Sequence, residues 1–128
     1  MNKDLQQLKE ASDGLLFISE SDHPFEVVEL RSGELEKEIR QLAQKPADSS
    51  VEKQTVDYFF RNMIKTYPGY SEEQVQTAQR FVKLQELVKQ KLQNAQVYRT
   101  GSIQVDAFII GKLGDGTFGG LRTKLIET

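Results

Sequence analysis

The stretch Ile103-Gln-Val-Asp-Ala-Phe-Ile-Ile110 decides the fold of this chain, because here the period of the apolar residues changes from about 3.6 to about 2. A second stretch of the same kind runs from Phe118 to Ile126, and Asp115-Gly116 between the two is a strong signal for a hairpin turn. A shorter run, Val97-Tyr-Arg99, precedes both. The C-terminal third is therefore predicted to form an antiparallel meander of three strands.

The middle strand of this meander is apolar on both faces. One face carries Ile103, Val105, Ala107 and Ile109, and the other carries Phe108 and Ile110. A strand with two apolar faces has to be covered on both sides, which favours helices above and below the sheet. We therefore expect an α+β fold, an α/β/α sandwich with a mainly antiparallel sheet covered by helices.

Upstream of the meander, apolar residues recur at helical spacing, and polar residues mark where helices begin. The predicted elements are a helix over Lys3–Ser12, a strand over Pro24–Leu30, a helix capped by Ser32 that carries Leu35, Ile39, Leu42 and Ala43, a helix opened by the capping pair Ser49 and Glu52 that carries Val56, Phe59, Phe60, Met63 and Ile64, and a long helix opened by Ser71 and Gln74 that stops near Asn94. Only the connection Lys45–Ser50 has the composition of a linker, so residues 1–128 are predicted to form a single domain.

Composition limits the classes of function. The 128 residues include 17 Lys and Arg against 19 Asp and Glu, a net charge of −2. This sign disfavours direct binding of nucleic acid and suits a protein partner with a basic cleft. Cysteine is absent and histidine occurs once, which excludes disulfides, thiolate metal sites and His-based zinc sites. The N-terminus does not have the pattern of a signal peptide, and no apolar run suits a membrane span, so we expect a cytoplasmic protein.

Side-chain catalysis has little support in the sequence. Gly114-Asp-Gly-Thr-Phe-Gly119 spells G-x-G-x-x-G, but neither a helix nor the other parts of a nucleotide site follow it, so a tight hairpin is the better interpretation. The single histidine, His23, has no nucleophile that the sequence places beside it. Glu72 and Glu73 lie in the first turn of a predicted helix, where acidic residues stabilise the helix. We predict that the protein is not an enzyme.

An acidic loop is the better candidate for function. In Ser12-Asp-Gly-Leu-Leu-Phe-Ile-Ser-Glu-Ser-Asp-His-Pro-Phe-Glu26, the apolar residues Leu15–Ile18 are followed at once by a polar loop with Glu20 and Asp22. A loop that starts from buried residues holds its carboxylates in place. Such carboxylates can stand where a phosphate would stand, because they accept hydrogen bonds from arginine and bind hard cations. Glu26 is a weaker candidate, since it also fits the outward position of a strand.

The segments LKEASDGLLFISESDHPFEV (8–27), NAQVYRTGSIQVDAFIIGKL (94–113) and TKLIET (123–128) resemble the nuclease A inhibitors, which block a sugar-non-specific, magnesium-dependent nuclease. The resemblance covers roughly half the chain. It implies an inhibitor of a non-specific DNA/RNA endonuclease in which Glu20 meets an arginine of the nuclease. It also implies that the carboxylate of Thr128 reaches the partner's magnesium. The protein would hold no cofactor of its own and would be a monomer when free.

One region departs from the family pattern. Where these inhibitors have an aspartate and a tryptophan before a tyrosine, this chain has Pro68-Gly69 before Tyr70 and no tryptophan. The predicted partner-binding residues are Glu20, Asp22, Tyr70, Glu127 and Thr128. The alternative hypothesis is a protein-binding module of the same fold with a different partner, because fold alone does not fix function. An enzyme is the least favoured of the three.

Overall fold

The computed structural model describes residues 2–127. Within that range the chain forms the following helices and strands: α1 Lys3–Ser12, β1 Leu16–Ile18, β2 Asp22–Pro24, β3 Glu26–Leu30, α2 Leu35–Leu42, β4 Glu52–Gln54, α3 Val56–Phe60, α4 Glu72–Lys91, β5 Gln93–Thr100, β6 Gln104–Lys112 and β7 Phe118–Ile126. None of the helices described there is long and apolar enough to cross a membrane.

The main sheet has five strands in the order β3-β7-β6-β5-β4, and all neighbours are antiparallel. The predicted meander is confirmed as β5, β6 and β7. The β6–β7 hairpin turns at Gly116, whose φ of 89° suits glycine, and Leu113 N–H donates to the carbonyl of Thr117 at 2.7 Å. The G-x-G-x-x-G motif is thus a hairpin, as predicted. The strands β1 and β2 form a separate two-stranded sheet.

Helices cover both faces of the main sheet, which confirms the α/β/α arrangement. On one face α1, α3 and α4 bury Phe60, Phe81 and Leu84 against sheet residues that include Ile109 and Leu121. On the other face α2 packs through Ile39. The sheet residues in contact with α2's face include Tyr98, Phe108 and Ile110. As the alternation in β6 predicted, Val105, Ala107 and Ile109 belong to one core and Phe108 and Ile110 to the other. Ile103 does not follow the prediction, because it lies before β6 and is 58% exposed.

Two helices follow the sequence signals closely. The first, α1, has the predicted bounds, and the side chain of Asn2 caps it by accepting from the N–H groups of Asp4 and Leu5. The capping box of α4 is confirmed, because Ser71 and Gln74 each bond the other's backbone N–H. The capping box acts within one turn of helix, so the rest of the fold does not need to be known to predict it.

Three predictions about the middle of the chain are wrong in detail. Ser49 and Glu52 do not open a helix: Glu52 begins β4, whose pairing with β5 satisfies the backbone instead, and Thr55 caps α3. Ser32 does not cap α2, because its N–H and hydroxyl donate to the carboxylate of Glu38. The predicted strand over Pro24–Leu30 is divided between β2 and β3, which pair with β1 and β7 respectively.

Candidate partner-binding site

Glu20 lies at the tip of a β-hairpin. Pairing of Ile18 with Asp22 leaves Ser19-Glu20-Ser21 as the turn, and the N–H of Ser19 donates to the carbonyl of Ser21 at 2.9 Å. The Glu20 side chain is exposed, as is that of Asp22 on the second strand. Local pairing therefore presents both carboxylates on a short ordered turn, which we call the Glu20 hairpin (residues 16–24).

The hairpin is anchored by one face of its first strand. Phe17 is buried, and its ring stacks on Phe59 of α3 at 4.5 Å between centroids and meets Phe25 edge to face at 6.4 Å. Leu15 is also buried, whereas Ile18 is 55% exposed. The acidic loop was predicted to start from buried residues. This is correct for Leu15 and Phe17 but not for Leu16 and Ile18, because the residues of a strand point alternately to its two faces.

The Glu20 hairpin is bound directly to the last strand of the main sheet. The hydroxyl of Ser19 accepts from the backbone N–H of Ile126 at 3.0 Å. The hydroxyl of Thr123, also in β7, donates to the carbonyl of Pro24 at 2.9 Å. These bonds join residues about 100 positions apart in sequence. They place the acidic turn beside the end of β7.

The residue after β7 is held from two directions. The N–H of Glu127 donates to the carbonyl of Ile103 at 2.9 Å, and its carboxylate forms an ion pair with Arg99 in β5 at 2.5 Å between Nη2 and Oε1. The Arg99 side chain is 14% exposed and that of Glu127 is 51% exposed. Thr128, the other residue predicted at this end, lies outside the described residues.

A groove with a volume of about 370 Å³ adjoins the hairpin and the end of β7. It is lined by Ile18 and Ser19 from the hairpin, by Arg99 and Glu127, and by Tyr58 and Arg61 of the α3 region. The guanidinium carbon of Arg61 lies 3.7 Å from the centre of the Tyr58 ring. Of these groove residues, only Glu127 was singled out from the sequence. The sequence did contain a signal at Arg99, because this charged residue shares its strand face with the apolar, buried Val97.

Tyr70 is displayed from a different loop. Its N–H donates to the carbonyl of Tyr67 at 3.1 Å, and Gly69 has a φ of 90°, which together with Pro68 fits a type II turn. The Tyr70 ring packs on that of Tyr67 at 5.4 Å. Both tyrosines are at least one third exposed. Pro68-Gly69, where the sequence departs from the family pattern, therefore lies in an ordered turn that precedes α4.

The remaining sequence candidates have structural positions. His23 lies in β2 opposite Phe17 and is partly buried. Glu26 is an exposed residue of β3, and Glu72 and Glu73 occupy the first turn of α4 as expected. Within residues 2–127 no group of three or more acidic or histidine side chains could hold a metal ion. The bond between Ser19 and Ile126 places the hairpin that carries Glu20 and Asp22 beside the segment that carries Glu127, and we call these three residues the acidic edge.

The protein-family model described as Nuclease A inhibitor-like protein matches residues 2–128, nearly the whole chain. A search of curated proteins gave no match.

Proposed function

The chain belongs to the nuclease A inhibitor-like protein family, and from this premise we propose that it inhibits a sugar-non-specific, magnesium-dependent DNA/RNA endonuclease by occluding the active site. The Glu20 hairpin and the Thr128 carboxylate are the groups that enter the cleft. The bond between Ser19 and Ile126 is the observation that supports this most, because it fixes the acidic turn beside the segment that leads to Thr128.

The chemistry of the acidic edge suits an active site built for phosphate. A nuclease holds its substrate with arginine side chains and a hard cation. Glu20 offers oxygens that accept a bidentate arginine, and an α-carboxylate, with a pKa of about 3.5, is ionised at neutral pH and ligates Mg²⁺. Asp22 adds a second exposed carboxylate on the same hairpin, whereas the charge of Glu127 is balanced by its ion pair with Arg99. The edge is thus a stand-in for the substrate backbone and itself undergoes no reaction.

Binding to the enzyme, and not to its substrate, is the mode that the charge supports. The net charge of −2 gives no counterion-release drive toward DNA or RNA, whereas a basic nuclease cleft would attract the acidic edge. In this proposal the free protein is a cytoplasmic monomer without catalytic activity of its own, and the magnesium belongs to the partner.

A second candidate is a binding module with a different partner. The turn formed by Tyr67, Pro68, Gly69 and Tyr70 favours it, because two exposed tyrosines in an ordered turn make a surface suited to protein recognition. Because Pro68-Gly69 changes only one contact region, we expect it to change which nuclease is bound rather than to abolish inhibition. We therefore keep a nuclease as the first partner to test and assign Tyr70 to the contact surface.

The test is a titration of the untagged protein into a magnesium-dependent non-specific nuclease from the same source, with the rate of DNA cleavage as the measured signal. The proposal expects inhibition that saturates at one inhibitor per enzyme and does not depend on the amount of DNA. Protection that scales with DNA concentration would indicate binding to the substrate. No inhibition, together with no complex in size-exclusion chromatography, would contradict the proposal for that nuclease and favour the different-partner hypothesis.

A further inference from the structure

We propose that the groove beside the Glu20 hairpin receives an acidic side chain of the protein partner, which pairs with Arg61. This is the groove of about 370 Å³ lined by Ile18, Tyr58 and Arg61, and we call it the Tyr58 groove. The proposal rests on the proposed function, because it assigns the partner's chemistry at a second part of the same site. The binding surface then carries both signs, with carboxylates on the hairpin and a guanidinium in the groove.

Arg61 is held in a fixed position although it is exposed. Its guanidinium carbon lies 3.7 Å from the centre of the Tyr58 ring, and its Nη1 donates to the backbone carbonyl of Tyr58 at 2.7 Å. Tyr58 belongs to α3, so both contacts fix the guanidinium to a helix. A long side chain that is already ordered loses less conformational entropy when a partner binds it.

The charge of Arg61 is not balanced inside the groove. The other arginine of the lining, Arg99, forms an ion pair with Glu127, whereas Arg61 forms none with residues 2–127. These three are the charged residues of the lining, so the groove has a charge of +1 in a chain with a net charge of −2. Only Nη1 of Arg61 donates within the described residues, which leaves its other nitrogens for a carboxylate.

Exposed apolar side chains lie beside this cation. Ile18 is 55% exposed and Tyr58 is 51% exposed, and both line the groove. Underneath, the ring of Phe17 stacks on Phe59, which fixes the hairpin that carries Ile18 to the helix that carries Tyr58. A partner that covers these apolar groups excludes water from Arg61, and an ion pair is stronger where water is excluded. Tyrosine and arginine are also the residue types enriched where binding energy is concentrated.

One substitution separates this contact from the effect of overall charge. Arg61→Glu lowers the net charge from −2 to −4. If only overall charge mattered, a more acidic inhibitor would associate faster with a basic cleft and bind more tightly. A carboxylate of the partner in the Tyr58 groove requires the opposite result, because the substitution places two negative charges together. The sign of the effect therefore distinguishes the two explanations.

Lys112 provides the matched control. It is exposed, forms no ion pair within residues 2–127, and ends β6 roughly 26 Å from Gln104, the residue of β6 that pairs with Ile126 near the acidic edge. Lys112→Glu makes the same change in net charge at the opposite end of the sheet. It reports the effect of overall charge without altering the groove.

The experiment measures the inhibition constants of the native protein, Arg61→Gln, Arg61→Glu and Lys112→Glu against the nuclease that the native protein inhibits. Melting temperatures confirm that each variant is folded. We expect Arg61→Gln to weaken inhibition about 10-fold and Arg61→Glu about 100-fold. Lys112→Glu should stay within about twofold of the native value or inhibit more tightly. Added salt should reduce the difference between native protein and Arg61→Glu.

Three results would overturn the proposal of an acidic residue in the Tyr58 groove. They are an unchanged inhibition constant in Arg61→Glu, tighter inhibition by Arg61→Glu, and equal losses in Arg61→Glu and Lys112→Glu. Each of these leaves the proposed function standing, because the native protein still inhibits. If the native protein neither binds nor inhibits the nuclease, the proposed function fails and the groove contact fails with it.

Discussion

Replacing Ser19 with alanine removes the hydroxyl that joins the Glu20 turn to the end of β7. In the native protein this oxygen accepts from the N–H of Ile126 at 3.0 Å and donates to the carbonyl of Ser21 at 3.2 Å. The substitution leaves the Ile126 N–H without its partner, which costs about 1–3 kcal/mol when the group is buried. Ile126 is partly exposed and the N–H can be hydrated in part, so we expect the lower half of that range, about 1–2 kcal/mol.

The same turn contains a control for this change. The hydroxyl of Ser21 is buried and has no hydrogen-bond partner among the described residues, so Ser21→Ala removes a polar atom that nothing satisfies. Its effect on the free energy of unfolding should be close to zero or slightly favourable. The two variants differ by two positions in one turn and delete the same chemical group. They separate the Ser19 contact from a general effect of altering the turn.

Thermal unfolding followed by circular dichroism measures both variants. At about 4 °C per kcal/mol for a domain of this size, Ser19→Ala should lower the melting temperature by about 4–8 °C. Ser21→Ala should stay close to the native value. Inhibition should also weaken in Ser19→Ala, because the acidic turn and the chain end no longer share a fixed geometry. Equal melting temperatures for the two variants would refute the account of how the hairpin is held.

Three further predictions concern binding, packing and pH. Glu20→Ala should weaken nuclease binding by about 2–5 kcal/mol by titration calorimetry, since a partner arginine would be left unpaired; equal affinity of the folded variant would remove Glu20 from the site. Gly120→Ala should cost about 3 kcal/mol or more in urea unfolding, because its Cβ would lie 1.8 Å from the carbonyl oxygen of Ile109, whereas Gly33→Ala meets nothing within 4 Å and should be tolerated; a mild Gly120→Ala would contradict the close strand packing. Burial raises the pKa of Glu38, but hydrogen bonds from the backbone of Arg31 and Ser32 and from the side chain of Ser32 outweigh burial and hold this pKa below its ordinary value. The stability that Glu38 adds is therefore complete above the ordinary pKa and is lost as pH falls. The difference in free energy of unfolding between the native protein and Glu38→Gln should disappear below about pH 4, and a difference that stays constant with pH would contradict this role of Glu38.

Local signals in the sequence were enough to predict the architecture. The alternation in β6 and the Asp115-Gly116 turn act between neighbouring residues, and they correctly indicate the meander and its two covered faces. The helix start predicted from Ser49 and Glu52 was wrong because a distant contact overrides the local signal. Its capping pattern is local, but pairing of β4 with β5 satisfies the same backbone groups through a contact across more than 40 residues. Helix propensity is weak enough for tertiary contacts to override it.

The site was only partly accessible from the sequence. Glu20 could be selected because polar residues follow an apolar run. Its attachment to the chain end depends on the bond from Ile126 to Ser19, which spans 107 positions and has no local signature. Arg99 was not selected from the sequence, and its ion-pair partner, Glu127, follows only from the register of β5, β6 and β7.

The central claim is that the acidic edge and the chain end together occupy the nuclease active site. The most direct measurement compares inhibition by the native protein with inhibition by two extended forms, one carrying a short neutral tag after Thr128 and one carrying the same tag before Met1. Our account predicts that the N-terminal tag has little effect, whereas the C-terminal tag displaces the terminal carboxylate and weakens inhibition about a hundredfold without lowering the melting temperature. Equally tight inhibition of the confirmed nuclease by the C-terminally tagged protein would contradict it.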